Sequence, residues 1–379
     1  MKMFRAGIIG AGFIGAVHAE QLRRLGNVEV AALTNTSNAE QKAEALFIPK
    51  GYKDYREMID QENLDCVHIC TPNSSHFEIA EYALNHGIHV VLEKPMTTSV
   101  EEAEKLVKLV KEKNLVGAMN YNCRFYPMAF QLREMIKNGD LGEIFTIHGG
   151  YLQDWLLLET DYSWRLEPSL SGETRAFGDI GTHWLDLVEF TTGLKVAEVL
   201  ADFEIFHKTR KKPLKAIETF SGMALRPEDY EEVPIATEDY ITVLFHLDNG
   251  AHACCNISQV FAGRKNQMIL AVAGSKASAH WDSEDSNDLW IGRRETSNDL
   301  YAKDPSILAP RTGKVISYPG GHVEGFADTF KHNFKQIYAA IAGEKAEYDF
   351  PTFESGLREM VLCEKIIQSA REKRWITVP

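Results

Sequence analysis

The chain has 379 residues, 44% of them hydrophobic and 25% charged, with a formal net charge of −13 at pH 7. That acidity argues against nucleic acid and anionic membrane as main partners, since both need a basic face, and the length exceeds what one domain ordinarily holds. No apolar run approaches the ~20 residues of a membrane span, so the sequence predicts a cytoplasmic protein of two domains that handles a small molecule.

Taken in chain order, the first third alternates short strands with helices. Residues 5–9 read as a strand, 13–25 as an amphipathic helix, 28–33 as a strand, 39–47 as a helix, 64–70 as a strand and 76–85 as a helix. A strand at 88–92, a helix at 100–113 with Ser99 and Glu102 as its capping box, and a strand at 115–119 follow. This alternation implies an α/β fold whose doubly wound parallel sheet is covered on both faces. Beyond residue 122 the strands lengthen, at 144–153, 196–206, 240–247, 251–260, 267–273 and 277–281, with Asp248-Asn249-Gly250 as a hairpin turn. Helices are expected at 127–137, 183–192, 326–341 and 355–372. The pattern predicts a dinucleotide-binding domain at 1–122 and, at 123–379, an α+β domain on a large, mostly antiparallel open sheet. Residues 209–238 and 282–319 are polar and dotted with proline, and read as surface excursions. Six cysteines without C-x-x-C spacing read as reduced core thiols.

The first strand runs into Gly10-x-Gly12-x-x-Gly15 and then a helix. Gly10 permits the tight turn, Gly12 lets backbone approach a pyrophosphate, and Gly15 lets helix pack on strand. An acidic residue is expected at the end of the second strand, but Asn35 stands there. It leaves NAD and NADP both open.

In such a sheet, ligands bind beyond the carboxyl ends of the strands. There lie Thr71, Pro72, Asn73 and His76 after one strand, and Glu93 and Lys94, followed by Pro95, after the next. A second cluster is FGDIGTHWLDL, where Asp179 and His183, four apart on a helix, can act as an orienting carboxylate and an acid/base imidazole. Asp186 adds metal-like spacing, but no second histidine supports it and no metal is expected. The aromatic and polar stretch 151–177 offers Asp154, Trp155, Tyr162, Trp164 and Arg165 as a substrate wall.

GIIGAGFIG, TPNSSH, EKP, NYNCRFYP and DIGTHWLD together resemble the Gfo/Idh/MocA family of NAD(P)-dependent sugar and cyclitol dehydrogenases, over essentially the whole chain. The stretch 151–177, with GRKNQMILAVAGSKASAHWD and YPGGHVEGF, is most similar to the branch containing levoglucosan dehydrogenase and glycoside 3-dehydrogenases. The resemblance implies a Rossmann domain with Lys94, Asp179 and His183 as the catalytic group. It implies cofactor contacts from Gly10, Gly12, Phe13, Ile14, Gly15, Asn35, Thr71, Pro72, Asn73, His76, Glu93, Lys94 and Asn122. Arg124 joins the substrate residues, and a homodimer or homotetramer is expected. The implied activity is reversible oxidation of a ring hydroxyl, at C3, of an uncharged sugar, anhydrosugar or glycoside. An inositol dehydrogenase, a glycoside-cleaving enzyme that oxidises its substrate transiently, and a non-catalytic NAD(P)-binding sensor are the alternatives.

Overall fold

Six short strands, five of them largely buried, open the chain in the computed structural model, which describes residues 2–214 and 227–379. They are β1 (Phe4–Ile9), β2 (Val28–Thr34), β3 (Lys50–Tyr52), β4 (Cys66–Ile69), β5 (His89–Leu92) and β6 (Gly117–Met119). All run parallel, in the order β3-β2-β1-β4-β5-β6. The connecting helices are α1 (Phe13–Arg23), α2 (Ala39–Ala45), α3 (Tyr55–Gln61), α4 (His76–Asn85) and α5 (Val100–Lys113). Strands buried on both faces carry continuous apolar runs: Ile9, Val67, Ile69, Val90 and Leu92 pack with Ile79, Leu84 and Leu106 in one layer, and Phe4, Ile8, Val28, Leu33 and Val91 with Leu22 in the other. The strand at 50–52 and the helix at 55–61 are additions to the sequence reading. The strand is only three residues long, and a Cβ on its Gly51 would stand 2.3 Å from the Ala39 carbonyl oxygen.

Contacts divide the chain into Met1–Phe125 with Phe326–Met360, and Tyr126–Gly325 with Val361–Pro379. A single boundary at 122 assigns 326–360 to the second domain. In the structure, helix Phe326–Ile341 lays Phe330, Phe334, Ile337 and Tyr338 into the first unit's second core layer. An amphipathic helix carries no mark of which distant sheet it covers. At α5, Ser99 accepts the Glu102 amide at 3.3 Å as expected, whereas the Glu102 carboxylate reaches back to the Thr98 amide at 3.3 Å.

The second unit holds α6 (Pro127–Lys137), α7 (Pro168–Ser171) and α8 (Thr182–Thr192) with strands β7 (Ile144–Leu152), β8 (Val196–Glu204), β9 (Thr209–Pro213), β10 (Tyr230–Pro234), β11 (Tyr240–Leu247), β12 (His252–Ser258), β13 (Gln267–Gly274), β14 (Ser278–Asp282), β15 (Asp288–Gly292), β16 (Asp299–Ala302) and β17 (Ile376–Thr377). Nine of them form one sheet in the order β16-β15-β14-β13-β7-β12-β11-β8-β17, antiparallel except where β7 meets β12. The turn at 248–250 closes with Gly250 at φ 85°. Residues 282–319 are not a surface excursion, because β15 and β16 extend the sheet there. Their alternation is masked by Trp290, which points outward between buried Leu289 and Ile291. The polar Lys303 is buried and gives its ammonium to Glu324 at 2.8 Å. In 209–238, β9 and β10 pair as a ribbon, and the rest of that excursion, 215–226, lies outside the described residues.

Candidate active site

The turn between β1 and α1 is built by its glycines. Gly10 has φ 97°, a left-handed conformation that favours glycine, and a Cβ there would meet the Cys70 carbonyl oxygen at 2.7 Å. A Cβ on Gly15 would stand 2.0 Å from the Gly10 oxygen, so helix packs on strand without room for a methyl. Around Gly12 nothing lies within 4 Å of a built Cβ. The first turn of α1 has neither a capping side chain nor an acidic residue. Open space beside uncapped amides at the positive end of a helix fits a dinucleotide's pyrophosphate. Phe13 is exposed at that end, while Ile14 leans on the core. Gly12→Ala is therefore expected to keep stability within about 0.5 kcal/mol of wild type while weakening dinucleotide binding at least about tenfold. Gly15→Ala is expected to cost about 1–3 kcal/mol. Thermal melts and fluorescence titration with the dinucleotide read both, and a Gly12→Ala protein that binds normally sinks the cradle.

Asn35 follows β2, its amide donating to Asn38 Oδ1 at 2.5 Å and its backbone N–H to the Tyr52 carbonyl at 3.0 Å. It presents a neutral polar edge that suits a ribose hydroxyl. After β4, Ser75 ties Thr71 Oγ1 at 2.7 Å and the Pro72 carbonyl at 2.8 Å, with Asn73 buried beside them. His76 is fully buried, its ring nitrogens 2.9 Å from the carbonyl oxygens of Thr71 and Pro95. It joins the two loops. Burial holds the imidazole below its usual range, against the two carbonyls and the Glu93 charge.

Glu93 also turns inward. Its carboxylate accepts from His18 Nε2 at 3.0 Å, from the Asn120 amide, and from the Lys94 backbone N–H at 3.3 Å. Burial alone raises a carboxyl pKa, but the His18 hydrogen bond, the Lys94 charge and the Asn120 amide carry this one down to about 2. Asn122 is likewise buried, donating to Thr329 Oγ1 at 2.6 Å, and Arg124 spans to the Asp349 carbonyl and Ser355 Oγ, each at 3.3 Å. Lys94 is half-buried directly beyond β5.

In the second unit a π-helical turn, Phe177–Gly181, leads into α8, so helix begins before Asp179 and carries on through His183. Asp179 receives Arg165 Nε on Oδ1 at 3.1 Å and the Gln259 amide on Oδ2 at 2.8 Å. Arg165 lies over the rings of Trp164 and Trp155, 4.6 and 5.9 Å from their centroids. His183 is buried edge-on to Tyr151, centroids 6.3 Å apart. The structure thus gathers Trp155, Trp164, Arg165 and Asp179. Asp154 is held instead by Lys265 at 2.7 Å and the Gly263 amide at 3.0 Å, and Tyr162 donates to Glu167 at 3.2 Å. Sequence reasoning missed Gln259, whose place at the end of β12, beside the start of the next loop, carried no motif.

Residues 4–121 match the model of an oxidoreductase family with an NAD-binding Rossmann fold, and residues 130–280 match the GFO/IDH/MocA C-terminal domain. The chain belongs to the Gfo/Idh/MocA family. Its first unit is the NAD-binding Rossmann domain of that family, and the chain is an oxidoreductase. Among curated relatives, levoglucosan dehydrogenase of Pseudarthrobacter phenanthrenivorans is 26% identical over 398 residues, covering 100% of this chain and 99% of the relative. Glucose-6-phosphate 3-dehydrogenase of Bacillus subtilis is 24% identical over 97% of this chain and 96% of its own. The crystal structure of an oxidoreductase domain protein from Kribbella flavida superposes with a TM-score of 0.89 at 28% identity, covering 100% of both chains. Among the described residues no helix is long and apolar enough to cross a membrane.

Proposed function

We propose that this protein is an NAD(P)-dependent dehydrogenase that reversibly oxidises a secondary ring hydroxyl, at C3, of a neutral sugar, anhydrosugar or glycoside to the keto sugar. The observation that carries the reading is Arg165 held between the Asp179 carboxylate and two indole rings. Such a wall offers aromatic faces to the C–H patches of a pyranose and a charged fork to its hydroxyls. The names of the two curated relatives place them among enzymes of sugar oxidation, which supports a sugar as the substrate.

Lys94, Asp179 and His183 are the catalytic group. An imidazole nitrogen of His183 takes the hydroxyl proton, with Asp179 as its orienting carboxylate, and Lys94 Nζ donates to the same oxygen as charge builds on it. The bound nicotinamide supplies a hydride acceptor. Asp179 and Arg165 fix the sugar, while Gly10, Gly12 and Gly15 seat the pyrophosphate and Asn35 faces the adenosine ribose. The deciding assay is absorbance of reduced nicotinamide with NAD or NADP and a panel of pyranoses, anhydrosugars, glycosides and inositols. Reduction with neutral pyranosides alone supports the reading. Reduction with inositols alone, or aglycone release without reduced cofactor, overturns it.

The second unit also carries the subunit interface in this proposal. Helices α6 and α8 pack on one face of its sheet, with Trp184 Nε1 donating to the Ile269 carbonyl at 2.8 Å. The other face carries a cross-strand row: Leu244, Cys254, His148, Ala271, His280, Trp290 and Leu300. Leu244, Trp290 and Leu300 in it are exposed at 41%, 38% and 66%. Apolar side chains exposed in a row mark an interaction surface, and a second copy of the chain is the proposed partner, giving a homodimer or homotetramer. The variant Trp290→Lys/Leu300→Lys is expected to fall to monomer mass by light scattering. An unchanged mass rejects this face.

A further inference from the structure

Behind the Lys94 turn lies a set of buried titratable groups that the proposed chemistry does not use. His18 and His68 are fully buried. His18 Nε2 stands 3.0 Å from Glu93 Oε1, His18 Nδ1 stands 2.9 Å from His68 Nδ1, and His68 Nε2 stands 3.1 Å from the Tyr338 hydroxyl. Phe330 and Phe334 close around the imidazoles, with centroids 4.8 to 5.6 Å away. The Cys66 thiol bonds the Tyr338 hydroxyl, and Cys70, His76 and Lys94 are the other titratable groups that feel the Glu93 charge.

Donor logic orders the protons along this chain for a neutral His18. An ionised carboxylate only accepts, so His18 Nε2 carries its hydrogen. With His18 neutral, its Nδ1 is bare and His68 Nδ1 donates to it. His68 is held neutral by burial, so its Nε2 is bare and accepts the Tyr338 O–H. Every donor points toward Glu93. The Asn120 amide reinforces the end of the chain, and its own carbonyl is fixed by Asn333 Nδ2 at 3.1 Å.

We infer that His18 and Asn120 are positioning residues for Lys94: they hold the Glu93 carboxylate ionised in the core, directly behind the lysine, and the His68–Tyr338 chain locks the tautomer in which His18 does so. The Glu93 carboxylate accepts the Lys94 backbone N–H at 3.3 Å and so holds the turn from which the lysine side chain reaches the substrate oxygen. The role of Lys94 rests on the proposed dehydrogenase reading, whereas the proton arrangement does not.

Ring-nitrogen NMR of the nitrogen-labelled protein at neutral pH, without substrate, tests the arrangement directly. The expected pattern is His18 protonated only on Nε2 and His68 only on Nδ1. A doubly protonated His18, or His68 protonated on Nε2, overturns it. The lysine is read by methylation with a carbon-labelled reagent, its resonance assigned through Lys94→Arg. Glu93→Gln, which keeps shape, is expected to move the methylated Lys94 resonance, and an unmoved resonance rejects the positioning role. In turnover, His18→Gln retains an N–H for Glu93 and is expected to keep kcat within about threefold, whereas His18→Leu loses at least about tenfold in kcat at unchanged KM. Equal losses in both variants also overturn the inference. If no substrate turns over in the wild type, the dehydrogenase reading falls while the two NMR measurements still decide the network.

Discussion

Replacing Lys94 by alanine is expected to lower kcat/KM about a thousandfold while the dinucleotide dissociation constant stays within about twofold of wild type. The asymmetry follows from where the side chain starts. Lys94 leaves the sheet directly after β5, at the carboxyl end where ligands of a doubly wound sheet bind, whereas the pyrophosphate cradle is made by the turn after β1. A donor aimed at a developing alkoxide is worth more in the transition state than in the ground state, so its loss falls on kcat. Deleting one such donor typically costs about a hundred- to a thousandfold. The lysine's charge, which faces an inward-turned Glu93, places the effect at the upper end. In the proposed mechanism His183 is the base, so His183→Gln should lose a comparable factor. The double variant should lose far less than the product of the two, since groups serving one proton and one oxygen act as a unit. A Lys94→Ala protein that turns over normally removes the lysine from the chemistry. One that binds dinucleotide, never turns over in either form, and keeps its biological effect points to a sensor.

Much of this was legible in the sequence because local physics dictates it. The glycines of GAGFIG answer to backbone geometry within a few residues, and the structure places each where its missing side chain is needed or left unfilled. The apolar runs at 66–69 and 89–92 reveal buried parallel strands by composition alone. What failed to show was long-range. His18 reads as one polar residue on an amphipathic helix, and only the fold brings it 2.9 Å from His68 and 3.0 Å from Glu93. Glu93, His76 and Asn122 sit in motif positions that suggest ligand contact, yet their polar atoms turn to buried protein partners. A sequence states that a residue is polar and near a site, not which way it faces. Gln259 and the docking of helix Phe326–Ile341 on the first unit were missed for the same reason, their partners lying 80 residues or more away in the chain. Trp290 hid a strand by putting a large apolar side chain on the exposed side.

The second large effect is on stability and begins from a buried charge cluster. Arg175, Arg210 and Asp239 are buried to 1% exposure or less. Asp239 accepts both guanidiniums, Arg210 at 2.9 Å, and on its other oxygen the amides of Phe206 at 2.8 Å and His207 at 3.1 Å. Asp239→Asn keeps the shape but leaves two cations facing a neutral amide. Removing one partner of a buried pair typically costs about 3–5 kcal/mol, here a fall in Tm of about 10 °C. Burial by itself raises the Asp239 pKa, but the two arginines and the His207 amide bring it below the usual carboxylate value. A carboxyl whose folded pKa lies below its unfolded value of about 3.9 stabilises the fold above that pH, and the contribution disappears as pH falls through the folded pKa. The wild-type Tm should therefore converge on that of Asp239→Asn below about pH 4, and two melting curves that stay parallel down to acid reject the cluster as the cause. The same variant should reach the chemistry. Arg175 also donates to the Gln259 carbonyl at 3.2 Å, and the Gln259 amide holds Asp179 Oδ2 at 2.8 Å. If that line transmits position, Asp239→Asn loses activity at temperatures well below its Tm, and Gln259→Leu, which leaves the charge cluster intact, reproduces the activity loss without the thermal one.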